Sequence, residues 1–501
     1  MWQKVKSLLF HNLTTRQTIA KNTFWLAVSN VGGRLIRAVV IIYAARVLGA
    51  GDWGLFSYAI SAAALITIFL DLGVSPVFVR EASKFREKPG EFRLLVSTSF
   101  IIKAATLLLG VVIIIFVSPL LFAQEGLRQI LPFVGAIFVF DLFREFGFSL
   151  IRVFEKMEWE AALFFLTNAA IVFFGFIFIR ANPTAQSFAL GYAAGTGVGM
   201  IATMYVLRKN LYGIFSGFSW TVVKRILSSG WPLAIAAISG GLMIDTDIIL
   251  LGYFRSAQEV GFYSAAQRVV QMLYLAPTIL SISLLPTISR LANQNSEKVR
   301  RLSETALTLI YLMAMPLALG GVITGRGVVS LLYGAGYSSA SLPFQILVLT
   351  VLLNFPNIIL ASILFAHNKQ RRLTIYAAIA GASNAVLDLI FIPRFGMVGS
   401  AIVTVVAQSF GFLYLWSETL KIIPLEVIGR LKKILLAAAA MSFVALASEL
   451  AGIHVLATMA FAAATYFGIL LFLKEPVVRE MKAIIQSLFA SGARENNESS
   501  S

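Results

Sequence analysis

Asn30, Arg34 and Arg37 recur at i, i+4 and i+7, so a helix carries all three on one narrow face. Ser264, Gln267, Arg268 and Gln271 form a second polar stripe at helical spacing, and Lys103 adds a further cation. Arginine holds its charge at any working pH, and its planar fork binds phosphate oxygens two at a time. These residues therefore suit the binding of a diphosphate: Asn30, Arg34, Arg37, Lys103, Gln267, Arg268 and Gln271. Four acids stand beside them in the sequence reading, Asp141, Asp245, Asp247 and Asp388, as groups for ion coupling or charge pairing. A structural alternative stays open, in which Arg34, Arg37 and Arg268 pair with Asp141, Asp245 or Asp388 and lock two halves together. Catalytic chemistry finds little support. The chain has no cysteine, three histidines without an H-E-x-x-H pair, and no G-x-x-x-x-G-K-[ST] loop. No catalytic residue, metal or cofactor is expected.

The elements that position these groups are apolar. Hydrophobic residues make up 58% of the 501 positions and charged residues 13%, about half the usual charged share. Stretches of membrane-crossing length recur from end to end. Hydropathy predicts fourteen spans, in the first half at 22–45, 53–72, 94–117, 129–150, 160–179 and 187–207. The second half follows at 230–252, 261–288, 305–325, 342–366, 373–393 and 398–416, with two more at 433–450 and 455–473. Eleven ionisable residues fall inside them: the candidates above plus Asp71, Arg144 and Glu145. Each costs roughly 2.5–3.5 kcal/mol at membrane depth, so a water-filled cavity or mutual pairing must accommodate them. Arg34 and Arg37 lie roughly 18–22 Å along the first span, close to mid-membrane. Asp71, Arg144 and Glu145 lie near inner ends, where side chains reach the interface, and are read as mainly structural. Prolines 232, 277, 316 and 356 predict kinks within the spans or at their starts.

The formal charge of +17 invites a nucleic-acid reading, which the location of the positives removes. With the amino terminus inside, 30 Lys and Arg fall on inner segments and six on outer ones: Arg46, Arg128, Arg180, Arg255, Arg326 and Arg394. The bias alternates loop by loop, as the positive-inside rule requires, and one miscounted span would scramble it. Both termini are thus expected in the cytoplasm of a multi-pass protein of the inner cell membrane, its basic loops resting on anionic lipids. The opening MWQKVKSLLFHNLTTRQTIAKN lacks a small-residue cleavage site, so no removable signal is expected. The expected organisation is an inner tail at 1–21, an N-lobe at 22–207, an inter-lobe linker at 208–229 and a C-lobe at 230–417. The last pair of spans with its preceding loop covers 418–473, and a cytoplasmic tail covers 474–501.

A weak internal repeat supports the two lobes. LGAGDWGLFSYA from Leu48 is echoed by LGYFRSAQEVGFYSAA from Leu251, and NAAIVFFGFIFIR from Asn168 by NAVLDLIFIPRF from Asn384. Offsets of about six spans give two halves of the same orientation, a parallel repeat around a central cavity. At this point the segments FWLAVSNVGGRLIRAVVIIYAARVLGAGDWGLFSYA, DLGVSPVFVREASK, LGYFRSAQEVGFYSAAQRVVQ and DLIFIPRFGMVGSAIVTVVAQ become informative. They resemble the Wzx-type polysaccharide-biosynthesis flippases of the multidrug/oligosaccharidyl-lipid/polysaccharide exporter superfamily. The resemblance implies an all-α membrane fold of two pseudo-symmetric six-helix lobes, MATE-like, plus two C-terminal helices. It also implies transport of an undecaprenyl-diphosphate-linked oligosaccharide (an O-antigen, capsule or exopolysaccharide precursor) from the cytoplasmic to the outer leaflet. A polysaccharide polymerase or assembly complex would be a natural partner. The rival readings are a multidrug cation exporter of the same superfamily, a peptidoglycan lipid-precursor flippase and, further off, a membrane polysaccharide polymerase or ligase. Arginines without an acid on the first span favour an anionic headgroup, and the short outer segment 326–341 disfavours a polymerase.

Overall fold

In the computed structural model the protein is described over residues 15–117, 126–211, 214–215, 217–292 and 296–475. The two tails, at 1–14 and 476–501, and the side chain of Asn30 lie outside the described residues. Helix α1 covers 15–48 and α2 50–71, formally one helix broken at Gly49. An unbroken helix of 57 residues would run about 85 Å, nearly three times a hydrocarbon core. Gly49 ends the first crossing because its φ of 75° is open to a residue without a Cβ. A short amphipathic helix, α3 (Val74–Lys84), follows, burying Val74, Val77 and Phe78. Its Glu81 accepts hydrogen bonds from Lys84 and Arg80, which hold the carboxyl below the ordinary range.

Then come α4 (Pro89–Val112), α5 (Leu127–Val153), α6 (Met157–Ala181), α7 (Ala185–Leu207) and α8 (Trp220–Phe254). The eighth predicted span is two helices, α9 (Ala257–Leu273) and α10 (Leu275–Leu291), divided just before Pro277. α11 (Ser296–Tyr333) is followed by α12 (Ser341–Leu347) and α13 (Val351–Ala366), which together make the tenth crossing. α14 (370–395) and α15 (397–420) are again one helix broken at a glycine, Gly396 at φ 56°. α16 (Lys432–Leu450) and α17 (Val455–Phe472) complete the chain. Ten helices are long and apolar enough to cross a membrane, and two of those are the glycine-broken pairs. With α5, which carries Asp141, Arg144 and Glu145, and the α9–α10 pair, the described residues make the fourteen crossings expected. Pro232, Pro316 and Pro356 sit inside α8, α11 and α13.

Glycine sets how closely the halves approach. A Cβ on Gly54 of α2 would lie 1.7 Å from the Ala257 carbonyl oxygen, and one on Gly261 of α9 would lie 1.9 Å from that of Ala50. The two glycines occupy matching places in the internal repeat, so each half presses a bare backbone onto the other. At the opposite end of α2, a Cβ on Gly73 would lie 2.2 Å from the Gly230 oxygen. Tyr337 adds a buried link between the halves, donating to the Ala45 carbonyl at 2.6 Å, while Tyr333 donates to the Ala265 carbonyl at 3.1 Å within the second half.

Candidate functional site

A cavity of about 510 Å³ opens among α2, α4 and α5, with Tyr192 of α7 and Ala237 of α8 completing its wall. Its lining is mostly apolar (Ile60, Ile68, Val134, Phe138) with a charged band of Asp71, Lys103, Asp141, Arg144 and Glu145. Lys103 donates to Asp71, which also accepts from Ser75 at 2.8 Å. Arg144 lies 2.9 Å from Asp141 and 3.6 Å from Glu145, with the Phe148 ring 5.4 Å from its guanidinium carbon. The cations are the buried members: the Lys103 and Arg144 side chains are 8% and 6% exposed, against 38% and 47% for Asp141 and Glu145. Nε and Nη1 of Arg144 are buried without a hydrogen bond. A buried donor left unpaired costs roughly 1–3 kcal/mol, so Arg144 gains from any further acceptor that a rearrangement brings to it.

The structure redistributes the expected site residues. Among the described residues Arg37 does not pair with an acid. Its Nε donates to Asn168 Oδ1 at 2.7 Å, and its guanidinium lies 5.9 Å from the Phe164 ring and 5.7 Å from the Tyr192 ring. Since Tyr192 also lines the cavity, Arg37 sits one side chain behind its wall. Arg34 is exposed and is not among the cavity-lining residues. Lys103 is among the residues lining the cavity. Asp141 pairs with its own helix neighbour Arg144, not with Arg34, Arg37 or Arg268. Asp245 is half-buried on α8 and Arg268 half-buried on α9. Gln271 is half-buried on the same helix. Asp71, Arg144 and Glu145, read from sequence as mainly structural, line the cavity and take part in its ion pairs.

Asp247, Asp388 and Gln267 belong to a second constellation in the other half. Asp247 is fully buried. Its Oδ2 accepts from Tyr263 at 2.5 Å and Gln267 at 3.3 Å, and lies 3.3 Å from Thr404 Oγ1; its Oδ1 accepts from Asn384 at 3.4 Å. Asn384 also donates to Asp388 at 2.8 Å, so one amide joins two sealed carboxylates. Among the described residues neither acid makes an ion pair, and Asp388 Oδ1 has no hydrogen bond. Such a pair needs a small cation or a shared proton, because two bare charges at this depth cost several kcal/mol. Sequence reasoning found the acids but not Tyr263, Asn384, Thr404 or, in the first half, Asn168. The available signal was that Asn168 and Asn384 open matching segments of the repeat.

A family model described as polysaccharide biosynthesis protein matches residues 19–292. The probable flippase AglR of Haloferax volcanii is 27% identical over 406 residues, covering 76% of this chain and 79% of that protein. Among solved structures, the lipid II flippase MurJ in an inward closed conformation superposes with a TM-score of 0.72 at 18% identity, over 90% of this chain and 99% of that one. An inward-facing multidrug resistance MATE family transporter gives 0.65 at 13% identity, over 78% and 98%. These two structures share the fold.

Proposed function

Because the chain belongs to the polysaccharide biosynthesis protein family, we propose that it is a flippase for a lipid-linked oligosaccharide, working by alternating access. One observation carries this reading: the 510 Å³ cavity sets the buried cations Lys103 and Arg144, each beside a carboxylate of the band Asp71, Asp141 and Glu145, into a wall that is otherwise mostly apolar. A diphosphate headgroup asks for such cations, and an isoprenoid chain asks for such a wall. Arg37, one layer behind, adds positive potential at a Tyr192 face that the cavity exposes. The names of relatives such as the probable flippase AglR support the same direction. In this reading the N-lobe is 22–207 and the C-lobe 230–417, both termini lie in the cytoplasm of the inner cell membrane, and the chain performs no bond-making chemistry. The substrate's carrier is an undecaprenyl diphosphate, and a polysaccharide polymerase or assembly complex receives the product. Asp247 and Asp388 take up a monovalent cation, a proton or sodium ion, whose gradient drives the return step.

One feature favours a second reading. Asp71, Asp141 and Glu145 stand in the cavity, and exporters of organic cations need intramembrane carboxylates. Purified protein in proteoliposomes separates the two. Loaded with an undecaprenyl-diphosphate-linked oligosaccharide, vesicles should present the sugar to an added glycosidase at a rate that depends on the protein, and Arg144→Ala should slow it about tenfold or more. Protein-dependent efflux of an organic dye cation, with no movement of the lipid-linked sugar, would overturn the flippase reading.

A further inference from the structure

At the end of the bundle opposite residues 15 and 475 lies a second cavity, of about 400 Å³, sharing no lining residue with the first. Arg46 at the end of α1, Gly327, Ser330 and Leu331 near the end of α11, and His454 and Val455 at the start of α17 form its wall. The donors converge and no carboxylate is present among them. Arg46 is exposed and spends its guanidinium on one weak contact, 3.5 Å from the Leu331 carbonyl. His454 Nδ1 accepts from the Leu456 amide at 3.3 Å, so the neutral ring carries its proton on Nε2 as a further donor. Ser330 supplies a hydroxyl. Gly327 keeps the two helices close enough to hold the shape, since a Cβ there would lie 2.7 Å from the Val455 side chain. A guanidinium, an imidazole N–H and a hydroxyl without an acid form an anion site, and the guanidinium fork matches phosphate.

The surroundings say what bears the phosphate. Leu331, Leu450, Ile453 and Leu456 are large apolar side chains left exposed around this wall, on helices that are apolar nearly all round. Donors at the rim of a bundle with exposed aliphatic side chains beside them fit a headgroup whose acyl or prenyl tail lies along the protein. We propose that Arg46, Ser330 and His454 bind the phosphate of a membrane lipid headgroup at this end of the molecule. The site is separate from the transport cavity and does not depend on the flippase reading.

The test is direct binding to purified full-length protein in detergent, by calorimetry. Three probes are titrated: dihexanoyl-phosphatidylglycerol, farnesyl diphosphate and inorganic pyrophosphate. At least one chain-bearing probe should bind, with Arg46→Gln weakening it about tenfold or more, Arg46→Lys giving an intermediate loss and His454→Ala a few-fold loss. Preference for phosphatidylglycerol assigns the site to bulk phospholipid, and preference for farnesyl diphosphate assigns it to a prenyl diphosphate. Unliganded thermal unfolding midpoints should match wild type, because Arg46 is exposed. Equal binding by Arg46→Gln and wild type, or pyrophosphate binding as tightly as the chain-bearing probes, would overturn the proposal.

Discussion

Asn168 of α6 and Asn384 of α14 open matching segments of the internal repeat, yet they hold groups of opposite charge. Asn168 turns its carbonyl oxygen to Arg37 at 2.7 Å and gives its amide hydrogens to the Phe164 carbonyl. Asn384 turns its amide hydrogens to Asp388 at 2.8 Å and Asp247 at 3.4 Å. Arg37 and Asp247 each lie on the first crossing of their half. The scaffold is thus repeated while the sign of the site is not: an amide serves equally as acceptor or donor, so one position tolerates either charge. The environments differ accordingly. The cation lies behind a cavity large enough for a headgroup, whereas the acids are sealed where only an ion or proton fits. The two halves carry divergent copies of one local design, an arginine on Asn168 in the first and two carboxylates on Asn384 in the second.

Removing Asp247 should break the comparison most severely. Asp247→Ala removes the acceptor shared by the Tyr263 hydroxyl and the amides of Gln267 and Asn384, which keep only the Thr404 hydroxyl, the Ile244 carbonyl and Asp388; each hydrogen bond lost in this buried network costs roughly 1–3 kcal/mol. Membrane abundance should collapse, measured by quantitative blotting of membranes. Asp247→Asn keeps an acceptor for the tyrosine, removes the charge and exchanges the oxygen that faces Asn384 for an NH2 group. Its abundance should recover to near wild type while transport loses its dependence on the ion gradient. Equal abundance of the Ala and Asn variants would mean that the network contributes little to the fold.

The crossings were legible because apolar length and basic-loop alternation are one-dimensional signals. The turns at Gly49 and Gly396 were only approximately placed, since helical hydrogen bonding resumes directly on either side of a single glycine. Stripe geometry correctly put Arg34 and Arg37 on one helix, but it cannot see a partner 131 residues away, and Asn168 went unnoticed for that reason. Arg144 is positioned by contacts that distance from a helix end does not reveal: Asp141 one turn earlier lies 2.9 Å from it, and the Phe148 ring one turn later lies 5.4 Å from its guanidinium carbon.

Paired asparagine substitutions sharpen the comparison with a smaller effect. Asn168→Ala removes one hydrogen bond to a charged donor, roughly 1.5–3 kcal/mol, while leaving Arg37 against two aromatic faces. Asn384→Ala removes the amide between two carboxylates and leaves their repulsion undiminished. Abundance should fall in both, and acidic conditions should restore Asn384→Ala alone, because protonating either carboxylate relieves that variant and does nothing for a stranded arginine. Restoration of both or neither, read as folded protein by size-exclusion chromatography across pH, would show that the two sites are not opposite in sign.

The smallest effect on the fold is expected at Arg34, and it isolates what the first crossing contributes to binding. Arg34 is exposed and, among the described residues, makes no hydrogen bond or ion pair, whereas Arg37 three residues on is held by Asn168 and flanked by two rings. Arg34→Ala should therefore leave stability within about 0.5 kcal/mol of wild type. Any loss of transport must then come from the missing charge. Arg37→Ala removes both charge and packing and should lower abundance and transport together. Lysine separates those contributions: Arg37→Lys keeps the charge but cannot reproduce the Nε hydrogen bond to Asn168 with the same planar geometry, so abundance should recover only in part. Arg34→Lys should transport nearly as wild type if Arg34 acts through its field, and no better than Arg34→Ala if it grips phosphate with its fork. The measurement is glycosidase access to lipid-linked sugar in proteoliposomes, normalised to folded protein. Full transport by the Arg34→Ala, Arg37→Ala double variant at normal abundance would leave Lys103 and Arg144 as the cations that hold the headgroup, and would remove the first crossing from the site.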